Sequence, residues 1–136
     1  MVELVTTENL SKGLLKEIFE AAFMDVSFDD EGDLRVRETV TCWVFPNEEH
    51  KDRIRLMALF RFKPETGELE RLQVANKINS DYIVVRASSG TNDSLVLTYD
   101  ILISGGVTQK AVVLALKRFC SIPHEAIGEY GSGHIQ

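Results

Sequence analysis

Between Arg53 and Lys63 the chain alternates without a break. Ile54, Leu56, Ala58, Phe60 and Phe62 fall on one side of an extended backbone, and Arg53, Arg55, Met57, Leu59, Arg61 and Lys63 fall on the other. A period of two held this long describes a strand that buries one face, so the molecule must contain a sheet and an apolar layer to cover it. Lys63-Pro64-Glu65-Thr66-Gly67 ends the run, because proline cannot continue a sheet ladder. The other face of the strand is the unusual one. Arg55, Met57 and Leu59 mix basic and apolar side chains, a composition suited to a partner protein or a second subunit. Arginine stems that merely cover an exposed sheet would read the same way.

The remaining elements follow from period and punctuation. Leu10, Leu14, Leu15, Ile18, Phe19, Ala22 and Phe23 make an amphipathic helix of Glu8 to Met24, with Thr6 and Thr7 placed to cap it. Val26 and Phe28, then Leu34 and Val36, alternate as strands on either side of a turn at Asp30-Glu31-Gly32. Thr41, Trp43 and Phe45 continue that second extended run to a loop from Pro46 to Asp52.

After Pro64, the spacing of Leu69, Leu72, Asn76 and Asn79 predicts a short helix lying on that stripe. An asparagine there needs its amide satisfied, so Asn76 is expected to bond neighbouring backbone and Asn79 to end the helix in the left-handed conformation. Val74 and Ile78 lie off the stripe and widen the apolar arc, as a homodimer contact or the wall of a deep groove would. Tyr82 to Ala87 and Leu95 to Ile103 form a hairpin, Gly105-Gly106 a turn, and Thr108 caps a last helix with Val112, Ala115, Leu116 and Phe119 on its stripe. Residues 128–136 read as a frayed, flexible tail on an ordered core of about 6–127.

The order α-β-β-β-α-β-β-α with short connections predicts an α+β two-layer sandwich, an antiparallel sheet with helices on one face. A chain of 136 residues makes one such domain, 1–136. A net charge of −6 argues against nucleic acid and against an anionic membrane as partners. The N-terminus Met1-Val2-Glu3-Leu4-Val5 lacks the pattern of a leader, and no run of uncharged apolar residues is long enough to span a bilayer, which points to the cytoplasm. Cys42 and Cys120 are too far apart in sequence to suggest a redox pair or a zinc site, and read as buried free thiols.

Motifs for chemistry are weak. Ser27, Asp29, Glu31, Asp33 and Glu38 surround Gly32 at EF-hand offsets, but the first ligand is not aspartate and both flanks alternate as strands. His50, His124 and His134 have no second histidine at metal-ligand spacing. Ser88 and Ser89 precede Gly90 without a G-x-S-x-G elbow, and the glycines match no phosphate-binding fingerprint. No catalytic, cofactor or metal residue is assigned on these grounds.

The pattern as a whole resembles the bacterial YbjN-like family, catalogued as regulators of sensory transduction, and more distantly the type III secretion chaperone-like fold. The hairpin Val26 to Val36 turning at Asp30-Glu31-Gly32-Asp33, the strand ending Phe60-Arg61-Phe62, the helix run Val74-Ala75-Asn76-Lys77-Ile78-Asn79, and Leu95 to Ile103 with Gly106-Val107-Thr108 carry the likeness over residues 6–127. The resemblance implies a non-enzymatic bacterial protein that binds other proteins as a regulator or chaperone-like adaptor, and it supplies no catalytic residues. A small-ligand protein or an enzyme with a site assembled from distant residues is the alternative; nucleic-acid binding would need the arginines of the 54–62 strand to form one positive surface.

Overall fold

The computed structural model describes residues 4–136; the reading of Met1, Val2 and Glu3 lies outside them. Along the chain the elements are β1 (Leu4–Val5), α1 (Lys12–Ala21), β2 (Asp25–Phe28), β3 (Leu34–Arg37), β4 (Thr41–Pro46), β5 (Arg53–Arg61), α2 (Glu68–Asp81), β6 (Arg86–Ser89), β7 (Ser94–Leu102), β8 (Val107–Thr108), α3 (Gln109–Cys120) and α4 (Pro123–Ala126), followed by a π-helical turn over Ile127–Gly131. Six strands form one sheet in the order β2-β3-β4-β5-β7-β6, every neighbour antiparallel, and β1 pairs with β8 as a separate ribbon. Ile54, Leu56 and Ala58 of β5 share one core with Leu15, Ile18 and Phe19 of α1, Val74 and Ile78 of α2, and Val112, Leu116 and Phe119 of α3. The architecture is therefore α+β, with helices on one face of an antiparallel sheet.

Four departures from the sequence reading concern where elements begin and end, and others, on Phe23 and helix α2, concern which side chains are buried. The extended run from Leu34 to Phe45 is a hairpin of two strands rather than one, because Glu38 N–H donates to Val40 O at 3.0 Å and reverses the chain. No glycine or proline marks that turn. Helix α1 begins at Ser11, whose hydroxyl accepts from Leu14 N–H at 3.0 Å, while Asn9 Oδ1 accepts from Thr6 N–H and holds the preceding residues in a turn. Strand β6 starts only at Arg86, since Val84 at φ 76° interrupts the extension and leaves Ile83 exposed.

The fourth concerns the chain end, read from composition as a frayed tail. Gln136 N–H donates to Arg61 O at 2.9 Å and Lys63 N–H to His134 O at 2.7 Å, so the last residues are hydrogen-bonded to the end of β5. Gly133 at φ 85° makes the bend that brings them there.

Phe23, placed on the core stripe of α1 by its spacing, is 98% exposed and sits at φ 63° just past the helix end. That is the position where glycine is favoured, because a Cβ carries a steric penalty in the left-handed region. Phe23→Gly is therefore expected to raise stability by about 1 kcal/mol, read as a higher urea midpoint at unchanged m-value; a lower midpoint would mean that the ring makes contacts worth more than the strain.

Helix α2 turns its predicted stripe outward. Leu69 and Leu72 are 68% and 51% exposed, Asn76 is exposed, and the buried residues are Val74, Ala75 and Ile78. Val74 and Ile78 thus belong to the core and are withdrawn as surface contacts. Asn79 does not end the helix, which continues to Asp81; its amide instead reaches across to β6, accepting from Ala87 N–H at 2.7 Å and donating to Ala87 O at 2.9 Å.

Helix α3 begins as its sequence predicts, with Thr108 Oγ1 accepting from Ala111 N–H at 3.0 Å. Cys42 on β4 and Cys120 at the end of α3 are both buried, and Cys42 Sγ donates to Trp43 O at 3.5 Å. The Cys120 thiol and the burial together push the Cys42 thiol up, which keeps it protonated and unreactive. Among the described residues no helix is long and apolar enough to cross a membrane.

Candidate functional site: the uncovered face of the sheet

With the helices packed on the Ile54, Leu56 and Ala58 side, strand register decides what gathers on the other. Trp43 lies opposite Met57 and Met57 opposite Thr98; Phe45 lies opposite Arg55 and Arg55 opposite Asp100; Leu59 lies opposite Val96. Three neighbouring strands thereby build an apolar band of Trp43, Phe45, Met57, Leu59 and Val96, half-buried except for Leu59, which is 44% exposed. Cross-strand neighbours of this kind stabilise one another, and the remaining area stays available.

The β2–β3 hairpin tip stands over one end of the band. Asp29 Oδ1 accepts from the backbone N–H groups of Glu31 and Asp33, each at 2.9 Å, and Asp29 Oδ2 accepts from Trp43 Nε1–H at 3.1 Å. The Asp33 amide, helped by the Trp43 indole and the Glu31 amide, holds the Asp29 carboxyl below its usual range. The carboxylate closes the turn and fixes the plane of the indole. A depression of about 450 Å³ results, with Trp43, Phe45, Met57 and Leu59 as its floor and Asp29, Asp30, Glu31 and Asp33 along one wall. A second depression of about 540 Å³ shares Leu59 and runs past Val96 to Arg61, Gly90 and Asn92.

Arg55 borders the band but its charge is already engaged. Its Nε and Nη2 donate to Asp100 Oδ1 and Oδ2 at 2.8 and 2.9 Å, and Arg86 Nη2 approaches the same carboxylate at 3.4 Å. The Arg55 guanidinium holds the Asp100 carboxyl below its ordinary value, and Asp100 raises Arg55 in return. A carboxyl depressed in the folded state adds stability above its unfolded pKa, near 4, and that contribution is lost as pH falls through the lower folded value. Asp100→Asn should accordingly cost about 1 kcal/mol at pH 7, after solvent screening of a half-exposed pair. The difference from the parent should shrink in urea melts below pH 4; a constant difference across that range would mean that the pair is not the cause.

Of the residues singled out from sequence, Arg55, Met57 and Leu59 lie together on this face, whereas Asn76 and Asn79 lie on α2. In the sequence Trp43 and Phe45 read only as the continuation of a strand. Their alternation with Thr41 was visible, but only the β4–β5 pairing puts Trp43 beside Met57.

The carboxylates at EF-hand offsets fall on a β-hairpin, and among the described residues no group of three or more His, Cys, Asp or Glu side chains is placed to hold a metal ion. His124 Nε2 lies 2.9 Å from Thr39 O and His134 Nδ1 lies 3.6 Å from Glu70, at separate places on the surface.

The model of the YbjN family, described as "Putative bacterial sensory transduction regulator", matches residues 11–127. No curated protein matches the sequence. Among solved structures, YbjN from E. coli superposes with a TM-score of 0.79 at 14% identity, covering 93% of this chain and 96% of its own. The type III secretion chaperone SycH of Yersinia pestis, solved in complex with a stable fragment of YscM2, superposes with a TM-score of 0.54 at 13% identity, covering 86% of this chain and 97% of its own. At such identities the likeness is one of fold.

Proposed function

The chain belongs to the YbjN family, and from that premise we propose that it is a protein-binding module, a regulator or chaperone-like adaptor rather than an enzyme, whose contact surface is the uncovered face of the sheet. The observation that carries this reading is the band of Trp43, Phe45, Met57 and Leu59. It gathers aromatic and long apolar side chains, the types enriched where proteins meet, on a sheet face opposite the one that the helices cover. SycH, of related fold, was solved in complex with a fragment of YscM2, which supports a protein-binding role for this architecture.

Position-specific photocrosslinking in living cells tests the proposal. A photoreactive amino acid at Leu59 should give polypeptide adducts, whereas the same group at Leu69, exposed on α2, should not. An adduct of twice the chain mass would identify a second copy as the occupant, and any other mass a different protein. Equal labelling from both positions, or none from Leu59, would refute this surface as the contact.

A further inference from the structure

The uncovered face has a marked charge asymmetry. Asp30 and Glu31 at the hairpin tip are exposed, and among the described residues neither forms an ion pair; Asp33 has only Lys12 Nζ, at 3.7 Å. Asp29 is held ionised by its three hydrogen-bond donors. Against these four carboxylates stand two cations, Lys12 beside Asp33 and Arg35, whose Nε donates to Ser27 Oγ at 3.3 Å. At the far side of the floor Arg55 and Arg86 share the single Asp100 carboxylate, so the negative surplus is confined to the hairpin end. The apolar floor therefore ends at a wall of surplus negative charge, on a chain whose total is −6.

We infer that the segment received here is cationic: an extended peptide of a partner protein in which lysine or arginine alternates with large apolar side chains. The inference rests on the protein-binding reading above and adds the partner's chemistry to it. Apolar residues two apart on an extended peptide are about 7 Å apart, the spacing of Met57 and Leu59 along β5. The alternate residues point away from the floor, and where the peptide passes the hairpin tip a long lysine or arginine there would meet the negative charge of Asp30 and Glu31. Such complementarity speeds encounter and rejects acidic partners through like-charge repulsion. Neither carboxylate is needed for the fold, because the turn is closed by Asp29 and by backbone groups.

Trp43 is the one tryptophan of the chain and lies on the floor of the depression, so its fluorescence reports on this site. The full-length protein is titrated with two tryptophan-free peptides, one alternating leucine and lysine, the other leucine and glutamate, at 50 and 300 mM salt. The lysine peptide should shift or quench Trp43 emission, with affinity falling at least tenfold at the higher salt, while the glutamate peptide should leave it unchanged. The double variant Asp30→Lys, Glu31→Lys, its fold checked by circular dichroism, should lose at least tenfold in affinity for the lysine peptide. Equal, salt-insensitive binding of both peptides would overturn the charge inference while leaving the sheet face as a contact surface. Unchanged emission with either peptide would overturn it as well, and the crosslinking from Leu59 would then decide the fate of the surface independently.

Discussion

Replacing Arg71 by alanine is expected to lower the free energy of unfolding by about 2 kcal/mol, the scale of losing charged hydrogen bonds from a guanidinium that is itself mostly buried although its partner Asp93 is partly exposed. Arg71 heads the buried side of α2, and its side chain is only 14% exposed. Its Nε donates to Thr66 O at 2.8 Å and Nη1 to Asp93 Oδ1 at 2.8 Å, while Nη2 lies 3.4 Å from the carbonyls of Lys63 and Pro64. The guanidinium also sits over the Phe62 ring, 5.3 Å from its centroid. One planar group thus joins the turn after β5, the helix that follows and the loop leading into β7, where Asn92 and Asp93 are held at positive φ. Alanine would leave the carbonyl of the buried Thr66 without its donor, and an orphaned buried acceptor costs more than the bond itself was worth, whereas Asp93, 38% exposed, can turn to water.

Arg71→Lys discriminates between charge and geometry. It keeps the positive charge but loses the planar fork, so it should recover less than half of the loss. Urea unfolding measured at the same m-value reads both variants. A cost below 1 kcal/mol for Arg71→Ala would mean that water replaces the guanidinium freely and that the network is peripheral.

Asn79→Ala is expected to cost about 2 kcal/mol, with Ala87 as the place where the damage is felt. The Asn79 amide offers one donor and one acceptor in the geometry of a peptide group, and it meets both the C=O and the N–H of Ala87. Strand β6 is at the edge of the sheet, paired with β7 on one side only. The asparagine therefore supplies a rung of ladder on the side that lacks a strand, which ties α2 to the sheet and shields part of an open edge. Two bonds of about 1 kcal/mol each set the size of the effect. Hydrogen exchange at Ala87 N–H should speed up well beyond its neighbours on β7, and Asn79→Asp, which keeps the acceptor but loses the donor, should fall between parent and alanine. Unchanged exchange at Ala87 would show that β7 alone holds the strand.

These two residues also mark where reading the sequence succeeded and where it failed. The stripe Leu69, Leu72, Asn76, Asn79 had the correct helical spacing, but so did Arg71, Val74, Ala75 and Ile78, one step round the same helix. Periodicity established that a helix lies here and could not rank its two faces, since each had both apolar and polar members. An arginine at the head of a core stripe looks like an error until the carbonyls of Lys63, Pro64 and Thr66 are seen to converge on it. In the same way local rules made Asn79 the left-handed end of the helix, whereas the helix runs on to Asp81 and the amide finds its partner eight residues ahead on a strand, beyond the reach of such rules.

The candidate site divides along the same line. Met57 and Leu59 stood out because the β5 alternation assigns them to the side away from the core. Trp43 and Phe45 come from another strand, reached only after the chain has reversed at Glu38 to Val40 without any residue that advertises a turn. Their convergence with Asp29 to Asp33 is a consequence of register between three strands, and register depends on pairing energies and loop lengths summed over the whole sheet.

The amino-acid sequence by itself determined the α+β class, the alternating β5 strand with its buried and open faces, the capped final helix, and the likeness to the YbjN family, because each depends on periods and caps within a single segment. Which face of α2 is buried, how residues 34–45 double back, where the chain end docks, and how Trp43 comes to lie beside Met57 under an acidic hairpin were decided only by the tertiary structure. Those outcomes turn on contacts between segments far apart in sequence, where the burial of one face or another is settled by what the rest of the molecule brings against it.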